Sequence, residues 1–312
     1  MNWHLFVTEI VSGVTHGCVY ALIALGYSMV YGILKLLNFA HGDVFMVGSF
    51  IGYGVITAFG GPYATHVIIV LLLVLMFVCA TLGGGLLGVA IERFAYRRLR
   101  TAPRIAPLIT ALGVSFFLEN AAQLVLGADF KTYGSFGWVK TVPVAAHGWH
   151  LPANVLFSYA HLITIVGTIV LMIALTWFVQ QTQTGKAMRA TSFDREAAAM
   201  MGIDVDRVIV VTFFIGSALA GAAGVFNGIE YSQVFPLMGF QAGLFAFTAA
   251  VVGGIGNLPG SVAGGLLIGL AESFATGYVS STFQQAVVFA VLIFVMLVRP
   301  SGLFGRAAVQ KV

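Results

Sequence analysis

An all-α, polytopic transmembrane helical bundle of eight to ten spans is the fold class the sequence predicts, on three observations. Only 8% of the 312 residues are charged and 59% are hydrophobic, with a mean hydropathy of +0.99, whereas soluble domains carry about 25% charged residues. So few charges cannot cover a globular surface, and lipid has to be most of the solvent. Continuously apolar runs recur from end to end, among them ALIALGYSMVYGIL (21–34), HVIIVLLLVLMFVCATLGGGLLGVAI (66–91), HLITIVGTIVLMIALTWFV (161–179) and QQAVVFAVLIFVMLV (284–298). Several approach or exceed the ~20 residues a helix needs to cross a bilayer, and they lack the alternation of barrel strands. The third observation is that Lys and Arg collect on one side of the bundle.

Taken in order, spans are expected at 10–33, 43–59, 66–91, 105–126, 158–180, 208–230, 240–256, 261–277 and 283–299. GGIGNLPG interrupts the pair around 240–277, so either member is a candidate half-helix. With nine spans and an external N-terminus, thirteen basic residues share one side: Lys35, Arg93, Arg97, Arg98, Arg100, Arg104, Lys186, Arg189, Arg195, Arg207, Arg299, Arg306 and Lys311. Lys131 and Lys140 fall on the other. Because positive charge is retained inside, the C-terminus, ERFAYRRLRTAPR (92–104) and the segment 181–207 are expected in the cytoplasm, with a loop at 127–157 outside. The net charge of +4 is thereby a topology signal, and no nucleic-acid partner is called for. A single membrane domain over 1–312 is expected. The opening MNWHLFVTEIV shows neither a basic leader nor a small-residue cleavage site, so a removed signal peptide is not expected.

Motifs for chemistry are sparse. Cys18 and Cys79 lie in apolar segments and suit packing. His147 and His150 stand three apart without Cys, Asp or Glu close by, which suits an ordinary loop and no metal site. GxxxxGK[ST], HExxH, GxSxG and CxxC are absent from the sequence, so energy for transport has to come from a partner or an ion gradient. An ion-coupled transporter would use Glu119, the carboxylate deep in a span. An intramembrane enzyme would need a partner for His161, and the sequence offers none.

Polar residues inside spans are costly and usually face a bundle interior or an aqueous path. In LKLLNFAHGDVFMVG (34–48), Gly42 is expected to end one helix and Asp43 to cap the next, with Asn38 and His41 satisfying backbone groups or shaping the cytoplasmic mouth of a pathway. Glu119 and Gln123 share a helix face. Asn227, Glu230 and Tyr231 group near the external end, and Glu272 sits in the eighth span. Each either bonds a neighbouring helix or offers a zwitterion a shallow hydrogen-bonding site. Gly84 with Gly88, Gly216 with Ala220, Gly221 with Gly224, and Gly265 with Gly269 place small residues on helix faces, as close helix contact requires. The two ends of the chain also suggest a parallel duplication, with NFAHGD matched to GIGNLPG.

The cytoplasmic segment GKAMRATSFDREAAAMMGIDVDRVIVV (185–210) reads as a short surface helix. Ser192 and Asp194–Arg195–Glu196 resemble a start, EAAAMM supplies helix formers and Gly202 a stop. Met200, Met201 and Ile203 are its apolar contacts. It is either a plain connector or a helix that docks in the groove of an ATP-hydrolysing subunit.

Glu196–Ala197–Ala198 followed by Gly202 resembles the EAA loop of ABC-importer permeases. ALIALGYSMVYGILKLLNFAHGDVFMVGSFIGY (21–53), the stretch 185–225, FTAAVVGGIGNLPGSVAGGLLIGLAES (247–273) and VRPSGLFGR (298–306) are similar, in that order, to the branched-chain amino acid permeases of the LivH type. The resemblance implies a multi-pass protein of the bacterial inner membrane, paired with a second related permease. It implies two ATP-binding subunits that carry the ATP and Mg, a periplasmic or extracellular substrate-binding protein, and no cofactor on this chain. Typical substrates would be Leu, Ile and Val, with other amino acids, amides or urea in related permeases. On the same resemblance Arg189, Glu196, Ala197, Ala198 and Gly202 form the ATPase-coupling loop.

Overall fold

The computed structural model describes residues 3–59, 66–100, 102–103, 105–133, 148–151 and 155–305. Helix α1 (Trp3–Leu34) is followed by α2 (His41–Phe59), α3 (His66–Ile91) and α4 (Ile105–Leu126), with a π turn at Glu92–Tyr96 and a 3-10 turn at Arg97–Leu99 after α3. Short strands β1 (Lys131–Thr132), β2 (Gly148–Leu151) and β3 (Val155–Ser158) precede α5 (Tyr159–Gln181). Then come α6 (Gln183–Phe193), α7 (Arg195–Met200), α8 (Val205–Tyr231), β4 (Gln233–Val234), α9 (Met238–Gly253), α10 (Leu258–Tyr278) and α11 (Gln284–Val298). Among the described residues eight helices are long and apolar enough to span a membrane, and α9 is a shorter apolar helix. The chain is a multi-pass membrane bundle. His147 lies outside the described residues; His150 falls in β2, which pairs with β3 as a hairpin.

Helices α1 and α8 form the buried centre, while α4, α5 and α11 present most of their surface outward. Small residues make the centre possible. A Cβ on Gly17 or Gly269 would strike the other helix of the α1–α10 pair, and one on Gly84, Gly88 or Gly221 would strike across α3–α8. Without a hydrophobic force between helices in lipid, such close backbone contact is what holds them.

The pairing is twofold. Helix α1 runs antiparallel along α10, from Gly13 beside Leu270 to Ser28 bonded to Ser261. Helix α8 runs antiparallel along α3, from Phe226 against Phe77 to Phe213 beside Gly88. Helix α2 packs on α8 as α9 packs on α1. Lys35, directly after α1, and Ser232, directly after α8, are the described non-glycine residues with positive φ, 57° and 55°. Exchanging α1–α2–α3 with α8–α9–α10 thus reproduces the same contacts. The duplication is inverted, and the counterpart of the break at 35–40 is SQVFPL (232–237). The parallel match with GIGNLPG fails because glycine punctuation there serves an ordinary tight turn, with Gly254 at φ 104° and Gly256 at φ 89°.

A second correction concerns depth. His41 packs its ring into the space where Gly26 lacks a side chain. Gly26 lies eight residues before the end of α1, about 12 Å at 1.5 Å per residue. The segment 35–40 therefore turns back into the bundle, and α2 starts in the interior rather than at the cytoplasmic surface. Gly42 does not end α1, which stops at Leu34, and Asp43 sits in the first turn of α2 rather than capping it. Gly42 meets the backbones of Gly239 and Gly243 at the start of α9. Two helix N-termini consequently face each other inside the protein, as in transporters with broken helices.

Gly42→Leu is expected to force α2 and α9 apart, costing about 3 kcal/mol, with a lowered Tm in detergent or no accumulation. Gly54→Ala, whose Cβ meets nothing within 4 Å, is the matched control and should melt like the wild type.

Candidate functional site

On the side assigned to the cytoplasm, α6 and α7 replace the single surface helix expected from sequence. Asp194, not Ser192, is the cap between them: its side chain accepts from Glu196 N at 2.9 Å and Ala197 N at 3.0 Å. Six residues then suffice for α7, because Gly202 takes φ 83° and Ile203 N closes back on Ala198 O at 3.1 Å, the αL ending that glycine permits. Ala198 is buried beneath, while Phe193, Met200 and Met201 are 95%, 82% and 83% exposed. Arg189 donates to Val179 O and Arg195 to Ile33 O, so the loop is fastened to the ends of α5 and α1. Asp206 receives Arg97 and Arg100, and Arg100 also reaches Glu92.

In the interior, Tyr96 donates toward Leu37 O at 3.0 Å and Asn38 Oδ1 at 3.2 Å, fixing the returning segment. The His41 ring lies edge-on to Tyr27 at 4.9 Å. Asp43 is fully buried, with its carboxylate against Gly239 and with Ser115 and Glu119 of α4 facing it. Glu119 is buried there and Gln123 is half-buried one turn on. Asn38, His41 and Asp43 thus follow one another along the returning segment and the first turn of α2, each in its own surroundings, with Glu119 facing Asp43.

At the opposite end, a cavity of about 440 Å³ opens between α1, α8, α9 and α10. Asn227, Tyr231 and Glu272 line it, together with Glu9, His16 and Gln241. Tyr231 and His16 Nε2 share a hydrogen bond of 2.7 Å, His16 Nδ1 stands 3.9 Å from Glu272, and Ser273 donates to Glu9 at 2.6 Å. Glu230 is not in this lining but lies just behind it, sharing a small adjoining cavity with His16, Asn227 and Tyr231, and its Oε1 is 2.6 Å from His161 Nδ1, so His161 does have a partner, contributed by α8. Sequence reasoning missed Glu9 because α1 begins at Trp3 and not at residue 10. His16, seven residues on, places its ring on the same helix end, which was the available signal.

Two helices that start facing each other inside the protein, a polar cavity at one end and capped, outward-facing short helices at the other fit the transmembrane subunit of a solute transporter. The chain belongs to the family described as branched-chain amino acid transport system / permease component, whose profile matches residues 9–296. It is 42% identical over 98% of both chains to the high-affinity branched-chain amino acid transport system permease protein LivH of Escherichia coli K12. The corresponding BraD of Pseudomonas aeruginosa is 40% identical, again over 98% of both. The D-allose transport system permease AlsC of Escherichia coli K12 is 28% identical over 70% of this chain and 64% of its own.

Proposed function

We propose that this chain forms half of the pathway of an ATP-driven importer of Leu, Ile and Val in the bacterial inner membrane. A second related permease completes the pathway, two ATP-binding subunits supply ATP and Mg from the cytoplasm, and an external binding protein delivers substrate. The chain has no ATPase site or cofactor of its own. Similarity to LivH and BraD over nearly the whole chain supports the substrate; the shorter, weaker likeness to AlsC does not favour a sugar.

The observation that carries the coupling is the exposure of Phe193, Met200 and Met201 around a helix held by Asp194 and Gly202. Large apolar side chains rimmed by polar ones mark a protein contact. The coupling residues are then Arg189, Glu196, Ala197, Ala198 and Gly202, the first fastening the loop and the last shaping it. The pathway is lined from outside by Asn227 and reaches the Asn38–His41–Asp43 group with Glu119 and Gln123, while Glu230 braces α8 against α5.

ATP-driven leucine uptake in vesicles carrying the complete complex tests this. Glu196→Arg and Gly202→Asp should each lower uptake by about tenfold or more, since aspartate at φ 83° is strained. Normal uptake in both removes the coupling role. Uptake by this chain alone, collapsed by an ionophore, would make it an ion-coupled carrier instead.

A further inference from the structure

We propose that the external cavity is a substrate subsite that takes a primary ammonium group, with Glu9 and Glu272 as its anionic wall and an apolar floor for an aliphatic side chain. The inference rests on the amino-acid reading above and assigns residues to it.

The charge arrangement is the starting point. Glu9 on α1 and Glu272 on α10 line one cavity, and none of its described lining residues is Lys or Arg. Glu9 is half-buried, and a buried carboxylate such as Glu272 is costly unless something cationic sits beside it. His16 is the one basic neighbour in the wall, 3.9 Å from Glu272 and already engaged by Tyr231. Glu272 is 6% exposed; the Tyr20 hydroxyl stands beside its carboxylate, and its Oε2 atom has no hydrogen bond among the described residues. A buried acceptor without a donor is a vacancy for one. Ser273 Oγ, next in sequence to Glu272, donates to Glu9 Oε2 at 2.6 Å and so ties the α10 side of the cavity to the α1 side.

The rest of the cavity fits what an ammonium would be attached to. Phe45, Phe235, Met238 and Ala242 supply apolar surface from α2, the re-entrant segment and α9. Asn227, Gln233, Gln241 and Gln284 supply neutral amides. These can bond a carboxylate without trapping it, as conduction demands. About 440 Å³ is within the usual range for small-ligand sites. A free sugar offers no cation for the carboxylates and no aliphatic group for the floor, so the wall discriminates by chemistry.

Equilibrium binding of radiolabelled leucine to the complete complex in nanodiscs, without binding protein, tests the subsite. Glu272→Gln and Glu9→Gln should each weaken binding about tenfold or more. On the wild type, isoamylamine should displace leucine, whereas 4-methylpentanoate, which has the side chain and carboxylate but no ammonium, should not. Unchanged affinity in assembled Gln variants overturns the subsite, and so does displacement by 4-methylpentanoate as good as by isoamylamine. The second comparison needs no variant and stands even if the Gln proteins fail to fold. Failure of the wild-type complex, with its binding protein, to transport leucine would sink the amino-acid reading itself; transport without these discriminations sinks the subsite alone.

Discussion

Arg195→Ala is expected to give an assembled complex that still hydrolyses ATP while leucine uptake per ATP falls about tenfold or more. The expectation follows from where the guanidinium goes. Arg195 is the first residue of α7, and its Nε donates at 2.9 Å to Ile33 O in the last turn of α1, with Nη2 on the same oxygen. A helix ends with carbonyls that have no partner of their own, so this contact is both a cap for α1 and a tie from α7 to it. Two residues beyond Ile33 the chain takes the left-handed turn at Lys35 and re-enters the bundle as far as His41. On the coupling proposed above, a displacement of α7 by an ATP-binding subunit would pass through this tie to the segment that leads to Asn38, His41 and Asp43. Burial and the neighbouring Arg100 push the Arg195 pKa below its ordinary value; guanidinium nevertheless stays charged. Arg195→Lys keeps the charge but not the fork that donates twice, and should restore only part of the uptake. Parallel ATPase and uptake measurements on reconstituted complexes decide the matter. A proportional fall in both would mean lost assembly or stability rather than lost transmission, and wild-type uptake would dismiss the tie.

The sequence and the structure agree where composition dominates and part where depth does. Apolar runs located every long helix because a lipid-facing or buried helix has to be apolar throughout. Gly84, Gly88, Gly221, Gly265 and Gly269 were recognisable as contact points because only a missing Cβ allows two backbones to touch. Re-entry of 35–40 was not legible: a six-residue break with only Lys35 and Asn38 polar looks the same whether it lies at the surface or folds inward, and the deciding contact is His41 on Gly26. The same holds for Glu230 and His161, which meet across two helices. The start of α7 was legible only as the stretch from Ser192 to Glu196, because Ser192 and Asp194 are both good caps; the structure uses Asp194. The inverted repeat escaped notice since its evidence is conformational, the matching positive φ of Lys35 and Ser232, and not residue identity.

Asp43 gives the other large effect. Asp43→Leu should abolish uptake and lower the detergent Tm, while Asp43→Asn should retain most of the stability and part of the uptake. The carboxylate is fully buried at the point where α2 and α9 begin, close against Gly239. Helix α9 has no side-chain cap of its own on the residue before it, Leu237. Its first N–H groups and its dipole both favour an acceptor at that spot; Asp43 is the side chain delivered there by the other half of the inverted repeat, close to Gly239 but with neither carboxylate oxygen hydrogen-bonded among the described residues. Leucine removes the acceptor and adds bulk beside Gly239, which has no room to give. Leucine puts an apolar side chain where the first N–H groups and dipole of α9 favour an acceptor, and the clash adds to that cost. Asparagine keeps an oxygen at nearly the same place and is itself a good cap, so its cost should be the smaller one. Gly239→Ala approaches the same junction from the other side and should resemble Leu rather than Asn. If Asp43→Leu melts like the wild type and transports normally, the facing helix starts do not depend on an acceptor at all, and the junction is held by glycine contacts alone.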